Sequence, residues 1–594
     1  MTVEPAAELR ALLGAAAVID APDALKTYDA DASMLESQAP QFVVLPTTAA
    51  QVAELARIAQ RRGLPLTMRG AGTGIAGGAI PLNGGIVVST ARMQQPTRID
   101  LDSRSARVAP GVVNAELNAQ LAAHGYQFAP DPSSQRASTI GGNLGTNAGG
   151  PHCLKYGVTT NHILAVEFVT ADGRLLWSGD GTADAVGYDI TGLLVGSEGT
   201  FGPVTQALVR LTPLPEAVRV VMALFPSVIA AAEAVSAVIA AGMLPTSLEV
   251  MDHWGIRAVN SAYGLGLPEA HGTTLLIIEV DGLAAGLDEQ LDRILQICRQ
   301  HQAFDLRPAR DAAEQARVWA ARKSFAGAVG RLAPAYYLVD TSVPRTRLPE
   351  MMAFCEELRV KYGMEVCNVF HAGDGNLHPL VMYDPRDADQ RRRAQAIAHE
   401  VLKRSIAVGG VISGEHGIGL EKRAYLPLLF SPAELQLHAA VHQVFNPHGT
   451  FNPAKIFPLE SPPAQLAAER RRRLTTPSGI AADAPSPGSL VQSADEATLA
   501  ATVAACHAAG RRVLPTGRRR ARQTDAVTVS TAALRRVLTY EPADLTIMVE
   551  AGMTLAELQA VLAPHRQWLP LEADPTATIG ELIATAADSP LRAG

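Results

Sequence analysis

Two histidines, His371 and His378, bracket the glycine turn Ala-Gly-Asp-Gly-Asn-Leu, and a third stands beside an acid in Ser413-Gly-Glu-His-Gly-Ile-Gly419. Imidazoles and a carboxylate on glycine-flanked loops are the donor types that hold a divalent cation. Glu415 would complete a shell begun by His371 and His378, leaving His416 free as a general base. The plain alternative is that the histidine pair is unrelated to metal and that His416 pins a turn. Trp319-Ala-Ala-Arg-Lys323 falls on an expected helix, where Arg322 offers two parallel N–H groups to a substrate carboxylate. A lone arginine on a helix is, by itself, more often solvated.

Such loops need a scaffold, and the most informative stretch for it is Arg69-Gly-Ala-Gly-Thr-Gly-Ile-Ala-Gly-Gly78. Glycines without Cβ let successive backbone N–H groups converge on an anion, most often a phosphate. Gly72 to Gly77 spells G-x-G-x-x-G, but a dinucleotide fingerprint of that kind must open a helix and be followed about 20 residues on by an acid. Pro81 and the turn Gly84-Gly85 follow instead, then the expected strand Ile86-Val-Val-Ser89, and the first acid is Asp100. NAD in a doubly wound fold is therefore rejected. A second small-residue run spans Asp131 to Gly150, and a third, Val195-Gly-Ser-Glu-Gly-Thr-Phe-Gly-Pro203, lies between an expected helix and strand.

The 594 residues exceed one ordinary domain, and 47% hydrophobic against 18% charged residues leaves a large core to bury. The net charge of −7 argues against a nucleic-acid partner. Five cysteines (Cys153, Cys298, Cys355, Cys367, Cys506) stand far apart, which points to a reducing compartment and gives no thiolate set for an iron–sulfur cluster. No run of 18 uncharged apolar residues appears and the N-terminus carries Glu4 and Glu8, so a cytoplasmic protein without a membrane span is expected.

Residues 42 to 67 read as strand, helix and strand, with the helix apolar at Val52, Leu55, Ala56 and Ala59. From Val218 the pattern becomes strand, helix, strand, strand, helix, the order of a split β-α-β, ferredoxin-like layer that would cap the first domain. Residues 459–488 are proline-punctuated with little hydrophobic pattern and read as a linker. The residues beyond the linker repeat the start of the chain: Gly63 to Gly70 matches Gly510 to Gly517, Val88-Ser-Thr90 matches Val529-Ser-Thr531, Gly111 matches Gly552, and Thr139-Ile-Gly141 matches Thr578-Ile-Gly580. The expected divisions are 1–217, a cap at 218–430, a return at 431–458, the linker, and a partial, degenerate copy at 489–594. The fold class is α+β.

Taken together, Arg69 to Gly78, Pro130-Asp-Pro-Ser-Ser134, Gly141-Gly-Asn143, Asn147-Ala-Gly-Gly-Pro-His-Cys-Leu-Lys-Tyr-Gly157, Gly196-Ser-Glu-Gly-Thr200, the two histidine motifs and Asn452-Pro453 resemble the FAD-dependent oxidoreductases of the vanillyl-alcohol oxidase (p-cresol methylhydroxylase) superfamily. Within it they resemble the glycolate oxidase large-subunit and D-lactate dehydrogenase branch. The resemblance implies FAD held non-covalently, since Thr73 replaces the tethering histidine or cysteine of some relatives. It implies cofactor contacts at Arg69, Gly70, Gly72, Thr73, Gly74, Gly77, Gly78, Pro130, Asp131, Ser133, Ser134, Gly141, Gly142, Asn143, Asn147, Ala148, Gly149, Gly150, Gly157, Glu198, Gly199, Thr200 and Asn452. It further implies a divalent metal, zinc or similar, on His371, His378 and Glu415, with His416 as base and Arg322 on the substrate carboxylate. Some relatives carry a further carboxylate-binding lysine just before the position of Asp340, where this chain has Tyr336-Tyr-Leu-Val339, which disfavours bulkier 2-hydroxydiacids. The C-terminal copy resembles the start of a glycolate oxidase E subunit. The implied activity is oxidation of glycolate or a small D-2-hydroxy acid, with D-lactate as the other substrate and an iron–sulfur subunit, quinone or cytochrome receiving the electrons. A non-catalytic assembly subunit is the rival reading, which the intact histidine and Glu415 sets oppose.

Overall fold

A computed structural model of the chain describes residues 4–587 apart from 34, 36, 180, 182–186, 476–483 and 518–524. It divides into two units, Met1–Arg470 and Arg471–Gly594.

The first unit begins with the β-α-β step. Thr48 accepts the Gln51 N–H while the Gln51 side chain returns to the Thr48 N–H, and Gly63, at φ 64, ends the helix Ala49–Arg62 in the left-handed conformation. The periodic Val52, Leu55, Ala56 and Ala59 are all buried. Strands Phe42–Val44, Ile86–Ser89 and Leu66–Arg69 lie side by side and parallel, with Val18–Ile19 on the outer edge. The glycine run leaves the end of Leu66–Arg69 and opens no helix. A second, five-stranded antiparallel sheet orders Arg98–Asp100, Ser105–Val108, Val204–Arg210, Ile163–Val169 and Leu175–Trp177. Helices Asn114–Ala122 and Ile140–Thr146 cover it through Leu117, Leu121, Ile140 and Leu144. The second small-residue run thus contains a short helix.

The cap is built on strands Ala217–Phe225, Ser247–Met251, Thr274–Gly282 and Asp305–Pro308. Their spatial order is fourth, first, third, second, which is the ferredoxin-like arrangement expected. Helices Val228–Ala240, Leu287–Gln300, Leu348–Tyr362 and Ala388–Ala407 share one core with it, and helices His253–Tyr263, Ala312–Lys323 and Phe325–Val329 belong to the core on its other face. Covered on both sides, Thr274 to Asp281 is buried throughout, which explains the apolar run Leu275 to Ile278. Strand Val366–His371 extends this sheet beside Ser247–Met251 and so delivers His371 opposite Glu249.

Residues 450–455 return to the first sheet: the Leu66 N–H donates to the Thr450 carbonyl at 2.8 Å and the Asn452 N–H to the Leu66 carbonyl at 2.7 Å. The stretch read as linker is partly helical. Pro463–Thr475 forms a helix whose Leu466 and Ala467 are buried in the cap core, because leucine and alanine one position apart suffice for a short contact that periodicity does not announce.

In the second unit strands Leu490–Gln492, Val527–Ser530 and Val513–Thr516 are again parallel, followed by the hairpin Val537–Glu541 and Thr546–Val549 and helices Leu555–Leu562 and Ile579–Ala584. Among the described residues no helix is long and apolar enough to cross a membrane.

Candidate active site

His371, at the end of Val366–His371, directs Nδ1 to Glu249 Oε1 at 2.7 Å and Nε2 to Glu415 Oε1 at 3.1 Å. With Nδ1–H donated to Glu249, Nε2 and the Glu415 carboxylate face each other as two acceptors, an arrangement that requires a positive charge between or on them. His378 Nε2 lies 3.5 Å from the same Glu415 oxygen and has no hydrogen-bond partner although buried. His371, His378 and Glu415 therefore present three converging donor atoms, and their chemistry fits a divalent cation.

Asp340, His378 and His416 also converge. Asp340 is the poorer ligand, because it already accepts Lys422 Nζ at 2.9 Å, the Ser413 hydroxyl at 2.7 Å and the Gly414 and His416 N–H groups at 3.0 and 3.1 Å. The charges are interdependent. Burial alone would raise the Glu415 carboxyl, but His371 beside it holds it well below the usual range. Burial would lower His416, yet Asp340 and then Glu415 push it above its ordinary value. Burial drives His378 down to about 4, against the pull of Asp340 and with the repulsion of His416 and His371.

Arg322 is buried, with NH2 2.6 Å from Glu249 Oε2, while its Nε and NH2 lack a directed hydrogen bond. It shares one cavity of about 550 Å³ with His371, His378, Glu415 and His416. The opposite wall of that cavity is made of the glycine runs: Arg69, Gly70, Gly72, Thr73, Gly74 and Gly78 from the first, Gly141, Gly142, Asn143 and Ala148 from the second, with Ser133, Ser134, Glu198 and Gly199. Ideal Cβ atoms on Gly74 and Gly145 would meet nothing within 4 Å, and Asn143 Nδ2 is buried without a partner. Bare backbone and an unpaired donor facing a large cavity fit a dinucleotide such as FAD.

Other motif residues serve the wall from behind. Asp131 accepts His152 Nδ1 at 2.8 Å and Lys323 Nζ at 2.6 Å; burial would raise its carboxyl, but these two cations hold it below its ordinary range. Asn452 Nδ2 spans the Gly78 carbonyl at 2.9 Å and the Glu198 carbonyl at 2.7 Å. The Thr200 hydroxyl closes onto the Ser197 carbonyl, and Asn147 ends its helix at φ 54 with Oδ1 on the Thr160 N–H. Gly77, Gly150 and Gly157 adopt positive φ, Gly149 passes close to Glu415, and Pro130 accepts Asn114 Nδ2.

Glu249, Asp340, Lys422 and Lys323 were not singled out from sequence as site residues. An acid within the apolar strand Ser247–Met251 was the available signal for Glu249; Asp340 and Lys422, both fully buried, become visible only once their two segments meet.

Comparison with known proteins follows the same division. Residues 214–456 match the family model for the C-terminal domain of FAD linked oxidases, and residues 40–179 and 487–591 match that for the FAD binding domain. The glycolate oxidase subunit GlcD of Escherichia coli (strain K12) is 41% identical over 431 residues, 73% of this chain and 86% of that one. A D-lactate dehydrogenase of Archaeoglobus fulgidus is 33% identical over 417 residues, 70% of this chain and 90% of that one. The structure of p-cresol methylhydroxylase with substrate bound superposes with a TM-score of 0.66 over 77% of this chain and 97% of the other at 16% identity, a likeness of fold.

Proposed function

This chain belongs to the FAD-linked oxidases, and on that premise we propose that it oxidises glycolate or another small D-2-hydroxy acid to the 2-oxo acid. The observation that carries the reading is the meeting, in one cavity, of the glycine-lined wall with Arg322, His371, His378, Glu415 and His416. FAD, when bound along Gly70–Gly78, Ser133, Ser134 and Gly141–Asn143, supplies the acceptor for the hydrogen that leaves C2 with its electron pair. Arg322, which lines the cavity and is held by Glu249, would receive the substrate carboxylate. His371, His378 and Glu415 would hold a divalent cation whose charge lowers the pKa of the substrate hydroxyl. His416 takes the hydroxyl proton, and the imidazolium so formed lies 3.7 Å from Asp340 and 3.5 Å from Glu415, which stabilise it.

Tyr336, Tyr337 and Leu338 line the cavity, and Lys323, which also lines it, is engaged by Asp131 at 2.6 Å, so a small monoacid is favoured. Electrons pass on to a separate acceptor, an iron–sulfur subunit or quinone, in an assembly of the glycolate oxidase kind, with the 487–591 copy standing in for part of an E-type subunit.

An anaerobic screen with glycolate, D-lactate, L-lactate and D-2-hydroxyglutarate tests the reading: one of the first two should bleach the flavin fastest. His416→Ala should slow that bleaching by about 10² to 10⁴ while flavin content is kept. Bleaching at the parental rate would remove His416 as the base. Metal analysis of the active protein should find one divalent ion per chain, lost with turnover on chelation; a metal-free, fully active protein would leave His371 as an imidazolium instead.

A further inference from the structure

The loop Ser413–Gly419, which carries Glu415 and His416, hangs between two buried carboxylates, one on each side of the cavity. Asp340, on the cap side, holds its first half through the Ser413 hydroxyl and the Gly414 and His416 N–H groups. Glu198, on the glycine-lined side, holds its second half: Oε1 accepts the Ile418 N–H at 2.7 Å and Oε2 the Gly419 N–H at 2.8 Å.

The Glu198 contact is built in several places at once. Glu198 itself sits at φ 52, a left-handed conformation that a side-chain-bearing residue seldom adopts unless it is held there. That turn is fixed by its own N–H on the Gly145 carbonyl at 2.7 Å and by Asn452 Nδ2 on its carbonyl. Gly417 adopts φ 86, and a Cβ there would lie 2.8 Å from Glu198 Oε1, so the loop must be glycine where the carboxylate enters. The loop has few side chains with which to pack, and glycines at 414, 417 and 419 leave it conformationally free unless its N–H groups are held. The far end is tethered through its carbonyls, Gly419 to the Ile456 N–H at 2.9 Å and Ile418 to the Lys422 N–H at 3.0 Å, and Glu198 adds the hold on the Ile418 and Gly419 N–H groups.

We infer that Glu198 is a positioning residue for the oxidation: by fastening Ile418 and Gly419 to the flavin-binding wall it sets the reach of His416 into the cavity. The inference rests on His416 being the base. A misplacement of about 1 Å in such a group can cost about 10²-fold in rate.

Glu198→Gln preserves size but offers only one acceptor oxygen to two N–H groups. At saturating substrate the flavin-loaded fraction should be reduced at least about tenfold more slowly, while its reduction by dithionite keeps the parental rate. Amide hydrogen exchange at Ile418 and Gly419 should quicken, with or without substrate. In a His416→Ala background Glu198→Gln should add no further slowing, the mark of two residues acting as a unit. Glu198→Asp, which keeps the charge on a shorter arm, should fall between parent and Gln. Equal slowing in both backgrounds would overturn the inference, and so would flavin loss with the loaded fraction reducing at the parental rate. If His416→Ala alone reduces at the parental rate, it is the assignment of the base that has failed.

Discussion

Residues 42–144 and 490–584 are two versions of one scaffold, and they differ where a ligand, not the fold, sets the requirement. The parallel strand triplets correspond, and the lone antiparallel bridge Val113 to Thr139 recurs as Thr554 to Thr578. A Cβ on Gly111 would run into the carbonyl oxygens of Thr90 and Met93, and one on Gly552 into those of Thr531 and Leu534. These glycines are kept because two backbones approach there. Thr139 accepts the Gly142 N–H at 3.2 Å and leaves bare backbone facing the cavity. Thr578 accepts the Glu581 N–H at the same distance, but the Glu581 carboxylate folds back onto the Thr578 N–H at 3.1 Å. A Cβ on Gly517, the counterpart of Gly70, would lie 2.7 Å from Glu581 Oε1. The second copy has filled the place that the first keeps open. Its arginine-rich stretch after Gly517 is also shorter, twelve positions to Val529 against eighteen from Gly70 to Val88; residues 518–522 of it lie outside those described.

Transplanting the divergent residue gives the largest expected effect. Gly142→Glu should reduce bound FAD from one per chain towards none, a weakening of at least about 10²-fold, or ~3 kcal/mol, as a carboxylate enters the cofactor wall. Absorbance at the flavin band per chain measures it, with amide circular dichroism showing that the chain still folds. A variant that stays fully yellow would mean that the open space at Gly142 is not where the cofactor lies.

Next come the shared glycines. Gly111→Ala and Gly552→Ala place the same methyl against the same kind of carbonyl pair, and each should destabilise its own unit by about 3 kcal/mol or more. Only Gly111→Ala should also lower flavin content. Loss of flavin in Gly552→Ala would show that the second copy takes part in holding it.

The comparison also marks what sequence could disclose. Repeated patterns such as Thr139-Ile-Gly141 and Thr578-Ile-Gly580, and the strand and helix order of the cap, are local, because turn chemistry and hydrophobic period act over a few residues. His371, His378, Glu415 and His416 could be named because glycine-flanked chemistry is visible in a short window, Arg322 through its place on an expected helix and the family resemblance, and the cavity brings all five together. Their partners were hidden. Glu249 and Asp340 look like interruptions of apolar strands, Lys422 is an unremarked base after Gly419, and their pairing depends on contacts across 82 to 122 residues. The motifs imply cofactor contacts at Asp131 and Asn452, whose hydrogen bonds go to Lys323 and His152 and to the Gly78 and Glu198 carbonyls. A motif reports that a residue is required without saying whether it touches the ligand or the wall behind it.

The smallest expected effect is the reverse substitution. Glu581→Gly removes the carboxylate from beside Gly517 and with it the return bond to the Thr578 N–H, which should cost the second unit about 0.5–2 kcal/mol through the loss of one helix cap interaction and the glycine itself. It should not create a flavin site, because vacating one position leaves the loop after Gly517 six residues short of the first copy's. The wall facing the first copy's glycine runs also comes from Arg322, Tyr337 and Glu415, on a cap domain that the family match at 487–591 does not include. Titration of the variant with FAD, after the first site is saturated, should therefore show no second equivalent taken up. Uptake of a second flavin would mean that one glutamate is all that separates a binding copy from a structural one.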